Sequence, residues 1–198
     1  MSEILFIRHA ETDMAGTFCG HCDPELNARG QAQLSELINE LRREDICAVY
    51  ASDLCRARAT GVAIAEAFGV DLHVRRALRE INFGQWEGLT WKEIEQQDET
   101  YARRWVAGYP NVTAPGGESF RDFEQRVLNE VEYLSRAAAE SKDRSIAVVA
   151  HGGVLRTVLC RLQGCSDASA WEQTRSYCSI VRHTGMVPSS MHSAEVHP

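Results

Sequence analysis

Short apolar runs set between longer stretches of helical periodicity constrain this chain more than any other feature. Ile4–Ile7, Ile46–Ala51 and Ser145–Ala150 are too short for buried helices and each predicts a buried strand. Val70–Val74 and Ser179–His183 alternate as weaker strands. Between them, Asn27 is placed to cap a helix over Ala28–Arg43 with Leu34, Leu37, Ile38 and Leu41 on one face. Ser52 or Asp53 should cap a second helix that runs to about Phe68. A third runs from Ser119 to about Glu140 with Phe120, Phe123, Val127, Val131 and Leu134 on its buried side, and a fourth covers Val154–Leu162. Strands alternating with helices imply parallel pairing. The fold class is therefore α/β, a three-layer α/β/α sandwich with a mostly parallel central sheet.

Two regions break the alternation. Thr12–Asn27 holds Gly16, Gly20, Asp23 and Pro24 and reads as a long loop. Residues 83–117 read as a small cap insertion: Phe83 and Trp86 look exposed, Trp91 to about Val106 looks helical, and Gly108–Gly117 is a Pro- and Gly-rich loop. The chain is expected to be one domain over 1–185, followed by a poorly ordered tail over 186–198. Its 198 residues, 44% hydrophobic, can bury a real core.

Net charge is −7, which argues against general nucleic-acid binding. No run is long enough to span a bilayer, and no signal-peptide pattern opens the chain. Seven irregularly placed cysteines suit reduced thiols and a cytoplasmic protein, with Cys55 and Cys160 as small apolar packers. Cys19-Gly20-His21-Cys22 has zinc half-site spacing, but no second Cys/His pair follows at finger spacing. No metal and no cofactor are expected.

The chemistry concentrates at strand ends. Arg8-His9 closes the first apolar run, and His151-Gly152-Gly153 closes the last. In an open α/β sheet ligands bind at the C-terminal mouths of the strands. There a histidine can attack phosphorus, and a guanidinium can hold phosphoryl oxygens bidentately. Glycines after His151 let backbone approach an anion at a helix N-terminus. Arg56 falls in the first turn of a helix that follows a strand, whereas Arg58 reads as solvated. The plain alternative is a set of strand-end residues with structural roles only.

The ordered motifs are Arg8-His9-x-Glu11-Thr12, Gly16…Gly20-x-x-Asp23…Leu26…Gly30-x-x-Gln33, Ser52-x-Leu54-x-Arg56-Ala57-x-x-Thr60, Leu78-x-Glu80-x-x-Phe83-Gly84-x-Trp86-Glu87-Gly88, Pro115-Gly116-Gly117-Glu118-Ser119 and Val149-x-His151-Gly152-Gly153. Together, from about Ile4 to His183, the chain resembles the histidine phosphatase (phosphoglycerate mutase-like) superfamily. The nearest branches are the α-ribazole phosphatases and broad-specificity small-molecule phosphatases. The resemblance implies that His9 is the nucleophile and that Arg8, Arg56 and His151 hold the phosphoryl oxygens. Gly152, Thr12, Cys19, Gly20 and His21 would border phosphate or substrate, although His21 also fits a solvated loop residue. Glu80 would be the general acid and base; Phe83 and Trp86 after it could dry the site. Glu87 is expected to be a structural partner in the Trp-Glu-Gly turn.

The reaction so implied is metal-independent hydrolysis of a small phosphorylated metabolite through phosphohistidine. Competing readings are a phosphoglycerate mutase, a protein phosphohistidine phosphatase and an inactive phosphometabolite-binding module. Ala10, Ala15 and Thr17 depart from the glycine, asparagine and arginine usual in the family. The last two departures imply one phosphate contact missing or replaced by Thr12 or a backbone amide, and less positive charge beyond the transferred group, which disfavours a second phosphate or carboxylate on the substrate. Ser179–His183, if an edge strand, offers a homodimer contact.

Overall fold

A computed structural model describes residues 3–184; the tail over 186–198 lies outside them. Five strands make one sheet: β1 (Glu3–Arg8), β2 (Ile46–Ala51), β3 (Leu72–Val74), β4 (Ser145–Ala150) and β5 (Ile180–Thr184). Seven helices accompany it among the described residues. They are α1 (Ala28–Leu41), α2 (Cys55–Phe68), α3 (Trp91–Gln97), α4 (Glu99–Ala107), α5 (Phe120–Ala139), α6 (Gly152–Leu162) and α7 (Asp167–Thr174). The strand order is β3-β2-β4-β1-β5. All pairings are parallel except that of β5, which lies antiparallel to β1 at the sheet edge.

Successive side chains of a strand face opposite ways, and the core divides accordingly. Leu5, Ile7, Ala147 and Val149 pack with Leu37, Leu41, Ala57 and Ile64 of α1 and α2. Ile4, Phe6, Ile146 and Val148 pack with Val127, Val131, Leu155 and Val158 of α5 and α6. The sheet is therefore sandwiched between two helical layers.

Helix starts follow the available caps. Asn27 Oδ1 accepts from Gly30 N at 2.8 Å to begin α1, and Ser119 accepts from Asp122 N to begin α5. The α2 helix departs from the sequence expectation. It starts at Cys55, and its first amide donates to Asp23 Oδ1 at 2.5 Å. Ser52 and Asp53 are engaged elsewhere: Ser52 Oγ meets His151 Nε2, and Asp53 forms a bidentate pair with Arg79. The loop after β1 thus supplies the cap of the helix after β2, tying two strand ends together.

The single helix expected over Trp91–Val106 is two. Asp98 ends α3 with a non-helical backbone, and its side chain caps α4 by accepting from Tyr101 N at 2.9 Å. The break lets both helices turn apolar residues onto one separate cluster of Trp86, Ile94, Ala102 and Ala114, bordered by Phe18, Phe83, Trp91 and Trp105. Trp86 is buried in this cluster, correcting its exposed reading. Cys55 is exposed, correcting its assignment as an apolar packer.

Candidate active site

The β1–β4 register sets Arg8 beside Ala150, so His9 and His151 leave adjacent strand ends. His9 N donates to Ala150 O at 3.0 Å, and the two imidazole centroids are 5.1 Å apart. One strand over, Ser52 N donates to Val149 O at 3.0 Å before the chain turns into α2. Arg56, the second residue of α2, is 1% exposed. Three parallel strand ends thereby deliver two imidazoles and a guanidinium to one place.

The hydrogen bonds of His9 determine its tautomer. Nδ1 lies 2.7 Å from Ala10 O, a carbonyl that can only accept, so Nδ1 carries the proton. Arg56 Nε, which can only donate, points at Nε2 from 3.2 Å. Nε2 therefore presents a lone pair. Burial, then the positive charge of Arg56, hold the His9 pKa well below the usual imidazole value; the Ala10 carbonyl opposes and Arg8 adds to the depression. A neutral imidazole with its lone pair on Nε2 is the nucleophilic form, and Arg56 Nε must release that lone pair when it attacks.

Arg56 is fixed by the loop that follows β1. Its Nη1 donates to Cys22 O at 2.6 Å, and its Nη2 to Gly20 O at 2.8 Å and Cys19 O at 3.2 Å. That loop is held in turn by one carboxylate. Glu87 accepts from the amides of Gly20, His21, Cys22 and Phe83 at 2.8–3.1 Å. These donors hold Glu87 below the ordinary carboxylate pKa even though its burial, the largest influence, pushes the other way. Gly20 admits no side chain, because a Cβ would lie 2.1 Å from Ile81 O.

Arg8 donates through Nη1 to Thr174 O at 2.9 Å and Arg175 O at 2.6 Å, and its guanidinium stacks 4.3 Å from the Tyr177 ring centre. Burial lowers its pKa. At the site, Arg8 Nε and His151 Nδ1 are buried without a hydrogen-bond partner among the described residues. Arg8 Nε is an unmet donor, and His151 Nδ1 is one too in the tautomer whose Nε2 accepts from Ser52 Oγ; unmet buried donors beside a nucleophile suit an oxyanion. Burial and the charge of Arg56 depress the His151 pKa strongly as well. Glu80 is 8% exposed. Its Oε2 accepts from Gly153 N at 2.9 Å and its Oε1 from Ile81 N at 3.0 Å. The anion at the N-terminus of α6 is thus this carboxylate. A Cβ at Gly153 would lie 2.1 Å from Glu80 Oε1.

A cleft of about 1180 Å³ opens here, and Arg8, His9, Thr12, Cys19, Arg56, Glu80 and Gly152 all line it. His151, Gly20 and His21 do not reach its wall. His151 is buried beside His9, with ring centroids 5.1 Å apart, Gly20 is wedged against Ile81 and Glu87, and His21 Nε2 sits 3.2 Å from Glu80 O. The sequence reading missed Tyr177, 5.6 Å from the His9 ring, and Arg156 and Trp171 on the cleft wall. Arg156, four residues beyond Gly152 on one helix, was the most findable of these. Among the described residues no group of three or more His, Cys, Asp or Glu side chains is placed to hold a metal ion. No helix there is long and apolar enough to cross a membrane.

The family model of the histidine phosphatase superfamily (branch 1) matches residues 4–185. The chain belongs to this superfamily. Phosphoserine phosphatase 1 of Hydrogenobacter thermophilus is 31% identical over 173 residues, 86% of this chain and 81% of that one. The adenosylcobalamin/alpha-ribazole phosphatase of Salmonella typhimurium is 33% identical over 171 residues, 85% and 83% of the two chains. Among solved structures, a mycobacterial glucosyl-3-phosphoglycerate phosphatase in complex with VO3 superposes with a TM-score of 0.81 at 27% identity, covering 94% and 93%. The superfamily membership and these relatives make this histidine phosphatase a phosphatase enzyme.

Proposed function

We propose that this histidine phosphatase hydrolyses the phosphate monoester of a small metabolite through a phosphohistidine on His9. The observation that carries the reading is the tautomer of His9, whose lone pair on Nε2 faces a fixed guanidinium. In the first step Nε2 attacks phosphorus while the bond from phosphorus to the leaving oxygen breaks. The departing alkoxide takes a proton from Glu80. Arg8 and Arg56 offset charge on the phosphoryl oxygens, and His151 offers Nδ1 as a further donor. In the second step Glu80 takes a proton from water as its oxygen attacks phosphorus. The P–N bond breaks, its electron pair returns to Nε2, and inorganic phosphate leaves.

Two supports come from outside the imidazole. Glu80 uses one lone-pair site on each oxygen for backbone amides, leaving others for a proton. The cap sits over the strand mouths and helps wall a cleft of metabolite size. The test is rapid quenching of the enzyme with a ³²P-labelled monoester under alkaline conditions, which preserve phosphohistidine. Wild type should retain label that acid removes, while His9→Asn should show neither label nor turnover. Sustained turnover by His9→Asn ends the proposal.

A further inference from the structure

The cleft is lined by a further cation, Arg156, besides Arg8 and Arg56. Arg156 stands on α6 one turn beyond Gly152 and lines the cleft. A Cβ at Gly152 would meet its Nη1 at 3.1 Å, so the guanidinium lies back along the first turn of α6. Its Cζ is 4.9 Å from the centre of the Trp171 ring. Stacking of this kind fixes the plane of a guanidinium and leaves its edge donors free.

The other cleft cations are engaged. Arg8 and Arg56 donate to backbone carbonyls, Arg161 pairs with Glu124 at 2.6 Å, and Arg175 pairs with Glu172 at 3.5 Å. Arg156 alone among the described cleft cations has neither a carboxylate nor a carbonyl. Thr17 withholds positive charge from one wall, and Arg156 supplies it on another, contrary to the expectation drawn from position 17.

We propose that Arg156 is a specificity-determining residue that binds a carboxylate on the leaving alcohol of the substrate. The inference rests on the phosphatase reading and narrows it to phosphorylated hydroxy or amino acids. A carboxylate fits better than a second phosphate for two reasons. One free guanidinium balances one negative charge, and its planar fork matches a planar carboxylate. Glu124 and Asp167 line the same region, and their charge would repel a dianion more strongly.

The experiment compares kcat/KM for matched esters that differ by the carboxylate: phosphoglycolate against 2-hydroxyethyl phosphate, and O-phospho-L-serine against O-phosphoethanolamine. Wild type should favour the carboxylate-bearing member of at least one pair. Arg156→Gln, which keeps the side-chain stem against Trp171, should lower kcat/KM for that member at least ten-fold more than for its partner, mainly through KM. Arg156→Lys should recover part of the preference. Equal losses within each pair would make Arg156 a phosphoryl contact or a structural residue and overturn the proposal, as would an unaltered wild-type preference. Failure of the phosphatase reading looks different: wild type would hydrolyse neither member of either pair.

Discussion

Single atoms decide the chemistry at the residue scale. Ala10 O and Arg56 Nε allow His9 only one neutral tautomer, and burial keeps that imidazole from protonating. Protonation would consume the attacking lone pair, so a depressed pKa extends activity toward acid. The acid limb of kcat/KM arising from His9 should therefore lie below the ordinary imidazole value of about 6.5. A steady-state pH profile with an activated aryl phosphate checks this; a His9-dependent fall at or above pH 6.5 contradicts it. Gly153 makes a second case. A Cβ there would press on Glu80 Oε1 at 2.1 Å and Phe123 Cζ at 3.1 Å. Gly153→Ala should displace the proton donor and cut turnover of alkyl phosphates by roughly 10²-fold, with a smaller loss for activated aryl esters. Equal losses for both classes would show that Glu80 does not protonate the leaving group.

Elements were legible in the sequence where packing repeats and obscure where it does not. The apolar runs of β1, β2 and β4 and the striped faces of α1 and α5 announce themselves because each buries a periodic face. The α3–α4 break does not, since Asp98 looks like any polar helix residue until Tyr101 N needs a cap. The short α7 was missed because little of it is buried beyond Ala170 and Thr174. The same contrast holds in the site. Arg8, His9, Arg56 and His151 carry motif spacing, whereas Tyr177 follows no period and reaches His9 only through the turn before β5. The loop over 19–22 shows how an element can act on chemistry at one remove. Glu87 holds its amides, its carbonyls hold Arg56, and Arg56 aims at His9. Glu87→Gln removes the charge and replaces one carboxylate oxygen, which accepts from two of the four amides, by an NH2 that can only donate, so the loop should loosen. Thermal unfolding should show a loss of about 1–3 kcal/mol, and kcat should fall with substrates of every leaving group. An unchanged kcat would separate the loop from the nucleophile.

The whole molecule gathers two neutral, buried imidazoles and two guanidiniums at one end of a sheet, and that arrangement governs its response to acid. His9 and His151 both have folded pKa values far below the unfolded value of about 6.5. Below that value the unfolded chain binds protons that the folded chain refuses. Stability therefore rises with pH through this window and is lost as pH falls from about 6.5 toward the folded values. Glu87 adds a separate contribution with the carboxylate sign. It is present above the ordinary carboxylate range and disappears as pH drops through the depressed folded value. The histidine window comes first on acidification. Each refused proton is worth about 1.4 kcal/mol per pH unit, so the pair should cost up to about 2.7 kcal/mol per unit below pH 6.5. Urea unfolding at pH 7.5, 6.5 and 5.5 measures that slope. The double variant His9→Asn/His151→Asn should flatten it while leaving the change below pH 4.5 in place. If the slope survives in the double variant, the acid sensitivity arises elsewhere, and the imidazoles are not held neutral by the fold as their burial requires.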